Sequence, residues 1–181
     1  MRALLKIVGG GLVLFIALAV VQEWQLFSSA WFGSEEPAVE LPHGERQKAI
    51  NTLRLMLDLM GHLYGSGGDQ RFAERMPAGV GILEEVMADI EYLARNHRLQ
   101  DQVLERFEAV SVEPVSADQL EIRTREQWDV GLSWAGGRGE AEPRAMRSVN
   151  GRYLLVRTGT GWRVEGWAFD EEAALAAAAQ P

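Results

Sequence analysis

The chain has 181 residues, of which 47% are hydrophobic and 24% charged, and its net charge is −8. This balance is that of a globular protein, and the length suits one domain plus an appendage. Cysteine is absent, which excludes disulfides, thiolate metal sites and cysteine nucleophiles. From Trp31 onward there are 16 basic and 25 acidic residues. Nucleic acid is therefore excluded as a partner, because its phosphates require clustered cations.

The N-terminal segment is apolar enough to cross a membrane. Residues 3–21, ALLKIVGGGLVLFIALAVV, contain one charged side chain, and a helix of this length covers the roughly 30 Å hydrocarbon core of a bilayer. Arg2 and Lys6 lie at its start, whereas acidic residues follow it. The positive-inside rule then predicts a cytoplasmic N-terminus and a periplasmic domain on the inner (cell) membrane. Aromatic residues follow the span, as expected at a lipid interface: Trp24, Phe27, Trp31 and Phe32.

A cleaved signal peptide is the alternative for this segment, since it also has a basic start and an apolar core. Residues 28–30, Ser-Ser-Ala, can serve as its cleavage site. The long, aromatic stretch after Val21 is unlike a cleavage region, so a retained anchor is favoured. The predicted organisation is an anchor over 1–32, a linker over 33–44 and one domain over 45–181.

Helices are predicted in the first half of the domain. Apolar residues recur at three- and four-residue steps over about 45–64 and again over about 80–97, which indicates two amphipathic helices. Residues 69–76 between them predict one or two helical turns that end before Pro77. At the other end of the chain, three acids from Asp170 followed by alanines are typical of a helix start.

Strands are predicted in the second half, because the apolar period changes to two from Ala109. Alternation over 120–134 predicts a long strand or a bent strand pair, and glycines with a proline predict a loop over 135–148. Two further strands, 153–158 and 162–169, are joined by a glycine-rich turn. Helices followed by antiparallel strands indicate an α+β fold, with a curved antiparallel sheet wrapped around helices as a half-open cone.

The closing hairpin carries a family resemblance. Residues 151–157 read GRYLLVR and residues 161–167 read GWRVEGW. With the preceding elements, over about Leu99 to Phe169, they resemble the cone-shaped α+β superfamily named for nuclear transport factor two. Within it the chain is most similar to the intermembrane-space domain of a chloroplast-division protein. The resemblance implies a non-catalytic, membrane-tethered domain used for protein contacts, although the same fold also hosts isomerases, dehydratases and secretion-machine subunits.

Candidate catalytic and metal-binding residues are few. The three histidines, His43, His62 and His97, lie far apart and lack the spacing of a zinc site, so no metal or cofactor is expected. Glu126 is the one acid in phase with the apolar face of the long strand. It can point into the cone as a general base, but a bulge where the strand bends is the favoured explanation.

The tryptophans give the candidate partner-binding site. Strict alternation from Trp162 and Val164, taken as core, places Trp167 and Phe169 on the outer face of the last strand together with Arg163. Two large rings there predict a docking patch, and the alternative is that the alanine-rich tail covers them. The tryptophans in phase with aliphatic residues are expected in the core, namely Trp128, Trp134 and Trp162.

The predicted function is that of a non-enzymatic, membrane-anchored accessory or assembly subunit of a larger membrane complex. It acts through contacts with other membrane proteins, and residues 3–21 contact the lipid bilayer. The alternative is a small-molecule-binding or isomerase-like protein that uses the cone pocket and Glu126. A buried acid facing a cavity favours that alternative, whereas an interior filled by tryptophan and leucine favours the accessory subunit.

Overall fold

A computed structural model describes residues 41–135 and 142–169 of the chain. The predicted membrane span over 3–21, its signal-peptide alternative, the linker up to residue 40 and the C-terminal helix from Asp170 lie outside these residues. Within the described ranges, the helices are too short or too polar to cross a membrane.

The described residues form an α+β domain in which helices precede strands. The helices are α1 (His43–Gly65), α2 (Gln70–Ala73) and α3 (Val80–Arg95), and the strands are β1 (Arg98–Ser116), β2 (Gln119–Trp134), β3 (Ala145–Thr158) and β4 (Gly161–Phe169). The two long helices are confirmed within two residues at each end, and a short helix is confirmed before Pro77, although it ends three residues earlier than predicted. Their periodicity is local information, which is why the sequence alone located them.

The strands form one antiparallel sheet in the order β1-β2-β3-β4, and the sheet does not close on itself. On β2 the alternation predicted from the sequence is confirmed: Leu120 and Ile122 face the helices, and Arg123 and Arg125 face outward. The β1 strand deviates from regular register at three places along its pairing with β2. Such bulges bend a strand and increase its twist, and they give the sheet its curvature around the helices.

Two strand boundaries differ from prediction. The β1 strand begins at Arg98, eleven residues before the predicted start at Ala109, and β3 begins at Ala145 inside the predicted loop over 135–148. The start of β1 was missed because its inward-facing residues are polar, so no apolar alternation marks it. These residues pair with the end of β2: Arg98, Gln100 and Gln102.

The core lies between the inner face of the sheet and one face of α1. A Cβ on Gly61 of α1 would lie 2.7 Å from the backbone oxygen of Gln102, so glycine is what allows α1 to approach β1 this closely. The α1 side chains that fill the core are apolar and nearly inaccessible to solvent: Ala49, Leu53, Met56, Leu57, Met60 and Leu63.

The β4 edge of the sheet is tied to the start of α3. The Gly79 amide donates to the Val164 oxygen at 2.7 Å, and the Val164 amide donates to the Pro77 oxygen at 2.9 Å. These two bonds fix α3 across the inner face, where it buries Ile82 and Val86. The arrangement positions the acidic side chains of α3 next to the aromatic residues of β4.

Candidate functional site

A bulge in β4 reverses the predicted orientation of its last aromatic residues. The β3 and β4 strands pair regularly on both sides of Glu165, which itself has no partner on β3. This extra residue shifts the later positions by one. Trp167 and Phe169 therefore face the same side as Trp162 and Val164, and the prediction that they lie on the outer face is wrong.

The three predicted docking residues consequently do not share a surface. Trp167 is only 8% exposed, and its indole N–H donates to Glu85 of α3 at 2.9 Å, so α3 covers it. Phe169 remains 38% exposed and makes an edge contact with Tyr153, with 6.3 Å between ring centroids. Arg163 points to the opposite, outer face. Of the three, only Phe169 lies on the inner face with part of its ring accessible.

Glu126 lies at the centre of a buried hydrogen-bond network. Its exposed fraction is 2%. One carboxylate oxygen accepts from the Thr124 hydroxyl at 2.6 Å and from the Tyr153 hydroxyl at 2.8 Å. The other accepts from the Trp128 indole N–H at 2.8 Å. Three neutral donors from two neighbouring strands thus converge on a single carboxylate.

Glu126 does not mark a bulge in β2. The register between β2 and β3 is continuous through its pair with Val149, so the bulge explanation is wrong. The bulges that bend the sheet lie instead on the neighbouring strand β1, at Glu105, Val110 and Val115. Glu126 points into the interior of the cone, on the same face as Trp128.

Gly151 allows Tyr153 to reach Glu126. A Cβ on Gly151 would lie 2.5 Å from the Tyr153 ring and 2.8 Å from the Thr124 hydroxyl oxygen. Without that atom the ring can lie along β3 and direct its hydroxyl at the carboxylate. Burial, together with the negative charge of Glu126, raises the pKa of Tyr153 well above its usual value. Tyr153 is therefore a permanent hydrogen-bond donor.

The network limits what Glu126 can do chemically. A general base must accept a proton from a substrate within hydrogen-bond distance. Both oxygens of Glu126 already accept hydrogen bonds from fixed side chains. Three of the roughly four acceptor positions of the carboxylate are therefore occupied, and the side chain is only 2% exposed, so the arrangement suits a structural role that rigidifies the inner face.

A second acidic contact joins the two long helices. The Tyr64 hydroxyl on α1 donates to Asp89 on α3 at 3.1 Å. Burial raises the pKa of Asp89 above its usual value of 3.8, and the hydrogen bond from Tyr64 opposes that rise. Burial likewise raises the pKa of Tyr64.

Part of the inner face is open to solvent. The register places Val149 opposite Glu126 and Arg147 opposite Trp128, so both side chains face inward. Accessibility rises along β3, because Val149 is half-buried whereas Arg147 and Ala145 are exposed. We call the accessible inward-facing set the mouth surface: Trp134, Ala145, Arg147, Val149 and Phe169.

Trp134 belongs to the mouth surface rather than to the core. It is 41% exposed at the end of β2, and the Arg98 guanidinium lies 4.4 Å from the centroid of its ring. The prediction of a core position is wrong for Trp134 because the strand ends there, beyond the reach of the helices. It is confirmed for Trp128 and Trp162, which are both 6% exposed.

The residues of the described ranges form no group of three His, Asp or Glu side chains that could hold a metal ion. His62 is exposed and stacks on Phe72 at 5.3 Å between ring centroids. His97 follows the end of α3 with a positive φ of 54°.

Tyr153, Thr124 and Gly151 are site residues that the sequence analysis missed. Thr124 was detectable, since it alternates in phase with Glu126 along one strand. The two residues of β3 carried no such signal, because only the pairing of β2 with β3 brings them to the carboxylate.

Comparison with known proteins supports the fold. No family model matches the sequence, and no curated protein matches it significantly. The structure is similar to the intermembrane-space region of the chloroplast protein ARC6, with a TM-score of 0.60, 15% identity, and coverage of 71% of this chain and 98% of that one. This confirms the resemblance to the cone-shaped superfamily and to its chloroplast-division member at the level of fold.

Two further solved structures match over most of their length with lower similarity. Aln2 from a Streptomyces species has a TM-score of 0.44 and 17% identity, covering 77% of this chain and 99% of that one. An NTF2-like protein with a cystatin-like fold from Novosphingobium aromaticivorans has a TM-score of 0.38 and 20% identity, covering 75% and 91%.

Proposed function

We propose that the chain is a non-enzymatic, membrane-anchored accessory or assembly subunit whose domain contacts a partner protein through the mouth surface. The observation that carries the proposal is the state of Glu126. This acid points into the cone, yet both of its oxygens are hydrogen-bonded to Thr124, Trp128 and Tyr153. Leucine, methionine and tryptophan side chains fill the interior around it. A filled interior supports the role of a rigid scaffold rather than that of an enzyme with a substrate cavity.

The mouth surface has the composition of a protein contact. Arginine and aromatic residues are enriched among those that dominate interface energies, and Arg147, Trp134 and Phe169 are of these types. The Phe169 ring packs against the ring of Trp167, with 5.8 Å between the ring centroids. A ring held in one orientation loses little conformational entropy on binding, which suits Phe169 as an anchor.

The membrane part of the proposal rests on the sequence of residues 3–21 and on the charges that flank it. We expect the full-length protein to resist extraction by alkaline carbonate, and its domain to be digested by protease added from the periplasmic side only. Release into the soluble fraction with a new N-terminus at Trp31 would show that the segment is a cleaved signal.

The partner contact is tested by co-purification of the intact chain from detergent-solubilised membranes. Phe169→Ala and Arg147→Gln should each reduce partner recovery several-fold while the domain remains folded, as shown by a cooperative urea transition. Arg163→Gln is the matched control, because this arginine lies on the outer face of the same sheet. Unchanged recovery for both mouth variants, or an equal loss for Arg163→Gln, would contradict the proposal.

Trp167→Ala is unsuitable for this assay, since it removes a buried ring. It should destabilise the domain by about 3–5 kcal/mol. Lost partner recovery with this variant would therefore report unfolding rather than a missing contact.

A small-molecule pocket is the second candidate, favoured by the inward orientation of a buried acid. Under this hypothesis a ligand displaces one donor of Glu126, for example the Tyr153 hydroxyl. Tyr153→Phe would then change ligand affinity or turnover while leaving partner recovery intact. Loss of partner recovery with Phe169→Ala, and no effect of Tyr153→Phe, would decide for the accessory subunit.

A further inference from the structure

A polar groove of about 460 Å³ lies between the first turns of α1 and the end of the β3–β4 hairpin. Its helical wall carries Glu45, Lys48 and Asn51 at three-residue intervals, so they share one face of α1. Its hairpin wall carries Arg157 and Trp162. The groove contains none of the residues of the mouth surface or of the Glu126 network.

Two cations converge on one carboxylate in this groove. Lys48 donates to Glu45 at 2.7 Å, and Arg157 donates to its other oxygen at 3.2 Å. The hydrogen bond from Lys48, followed by the charges of Lys48 and Arg157, lowers the pKa of Glu45 despite partial desolvation. Asp118, which is largely exposed, approaches the far side of Arg157 at 3.9 Å. Glu45 thus occupies the position that an anionic ligand would take.

The groove also contains a buried donor without a well-aligned acceptor. Trp162 is 6% exposed, and within the described part of the chain its indole nitrogen makes no hydrogen bond of normal geometry. Its interaction with Glu45 also lowers the pKa of that carboxyl, with the smallest effect among the contributing groups. A buried N–H whose acceptor is poorly aligned is costly, and such groups in native proteins call for an explanation. The Arg157 guanidinium lies 5.0 Å from the centroid of the same ring, so the cation and this poorly aligned donor lie side by side.

A surface ion pair on α1 explains only part of this arrangement. Lys48 and Glu45 are three residues apart, which is a common helical pairing of small energy. That pairing requires neither Arg157 nor the indole N–H of Trp162. Asn51 accepts from Gln47 at 3.0 Å through its oxygen, which leaves its –NH2 group as the end that can donate into the groove.

We propose that this groove binds an oxyanion, either a carboxylate or a phosphate, and that Glu45 is the internal occupant which the ligand replaces. Lys48 and Arg157 supply the charge, and the indole N–H of Trp162 supplies a neutral donor to the incoming oxygen. Charge-assisted hydrogen bonds from arginine and lysine are the strong ones in such sites. The oxyanion can come from an acidic side chain of a protein or from free phosphate.

The test uses the full-length chain in a neutral detergent, labelled with ¹⁵N. The indole N–H resonance of Trp162, assigned by its loss in Trp162→Phe, is followed while sodium phosphate or N-acetyl-glutamate amide is added at constant ionic strength. We expect a saturable shift, and the anion with the lower Kd identifies the source. Glu45→Gln should bind several-fold more tightly, because the internal competitor is removed.

Variants of the cations complete the test. Lys48→Gln and Arg157→Gln should each weaken binding several-fold, with circular dichroism confirming that they are folded. Arg95→Gln, at an exposed position in the last turn of α3, is the control and should leave the Kd unchanged. The proposal is overturned if sodium chloride produces the same shift, if Glu45→Gln binds no more tightly, or if the control loses as much affinity as Lys48→Gln.

Discussion

Replacing Glu126 should show how much of the domain's stability depends on its three donors. Glu126→Ala leaves the Tyr153 hydroxyl and the Trp128 indole N–H buried without their acceptor, since both donate to this carboxylate. The Thr124 hydroxyl retains a longer contact to the Gly151 oxygen at 3.5 Å. Each stranded donor costs about 1–3 kcal/mol, so the two together should lower the free energy of unfolding by about 2–6 kcal/mol.

Glu126→Gln is a milder change of the same kind. The amide keeps one oxygen, which can still accept from Trp128, but its –NH2 group then faces two hydroxyls. Those hydroxyls must turn to accept, and the Tyr153 proton is left without an acceptor in the buried network. One stranded donor predicts a loss of about 1–2 kcal/mol. A domain that is stable by about 5–15 kcal/mol remains folded.

Urea denaturation followed by tryptophan fluorescence measures both variants. A double-mutant cycle with Tyr153→Phe isolates the pair, and we expect the cost of Glu126→Gln to shrink when the tyrosine hydroxyl is already absent. Surface substitutions without strong contacts change the free energy of unfolding by about 0.5 kcal/mol or less. If the free energies of unfolding of Glu126→Ala and Glu126→Gln both lie within that range of the value for the original protein, the structural role assigned to Glu126 is refuted.

Three further predictions address packing and charge. Trp162→Ala should cost about 3–5 kcal/mol, and an unchanged urea midpoint would place this ring outside the core. Gly61→Ala should cost about 1–3 kcal/mol because its Cβ meets the Gln102 backbone; Gly81→Ala, with open space around it, should be neutral or stabilising by up to about 1 kcal/mol. Because burial raises the pKa of Asp89, its contribution to stability is complete below about pH 3.8 and is lost as the pH rises through the higher folded-state pKa. When the free energy of unfolding is measured against pH, Asp89→Asn should show a smaller decline than the original protein. Curves of equal slope for the two proteins would contradict a raised pKa for Asp89.

The helices and the sheet alternation were within reach of the sequence because both patterns are local. The apolar spacing of α1 repeats along the whole helix, and β2 alternates from Leu120 to Leu132 with its register to β3 intact as far as Val130. The hairpin turn at Gly161, whose φ is 140°, was marked by its glycines. Glu126 was placed on the inner face for the same reason, since two-residue periodicity is a property of the single strand.

The orientation of Trp167 and Phe169 depended on a neighbouring strand. A single unpaired residue, Glu165, exchanges the two faces of everything that follows it in β4. Gly166 inside the strand is the one residue type that suggests a bulge, but which residue is left unpaired is set by how β4 pairs with β3. Strict alternation along the sequence therefore assigned these two aromatic residues to the wrong side of the sheet.

The partners of Glu126 and Glu45 were likewise decided by tertiary structure. Thr124 and Trp128 flank Glu126 at two-residue spacing and could be inferred, but Tyr153 lies 27 residues away on β3. Arg157 lies 112 residues from Glu45 and reaches it only because the hairpin end packs beside the first turn of α1. Periodicity along one strand or helix determines which face a side chain occupies; only the packing of separate elements determines which donor meets which acceptor.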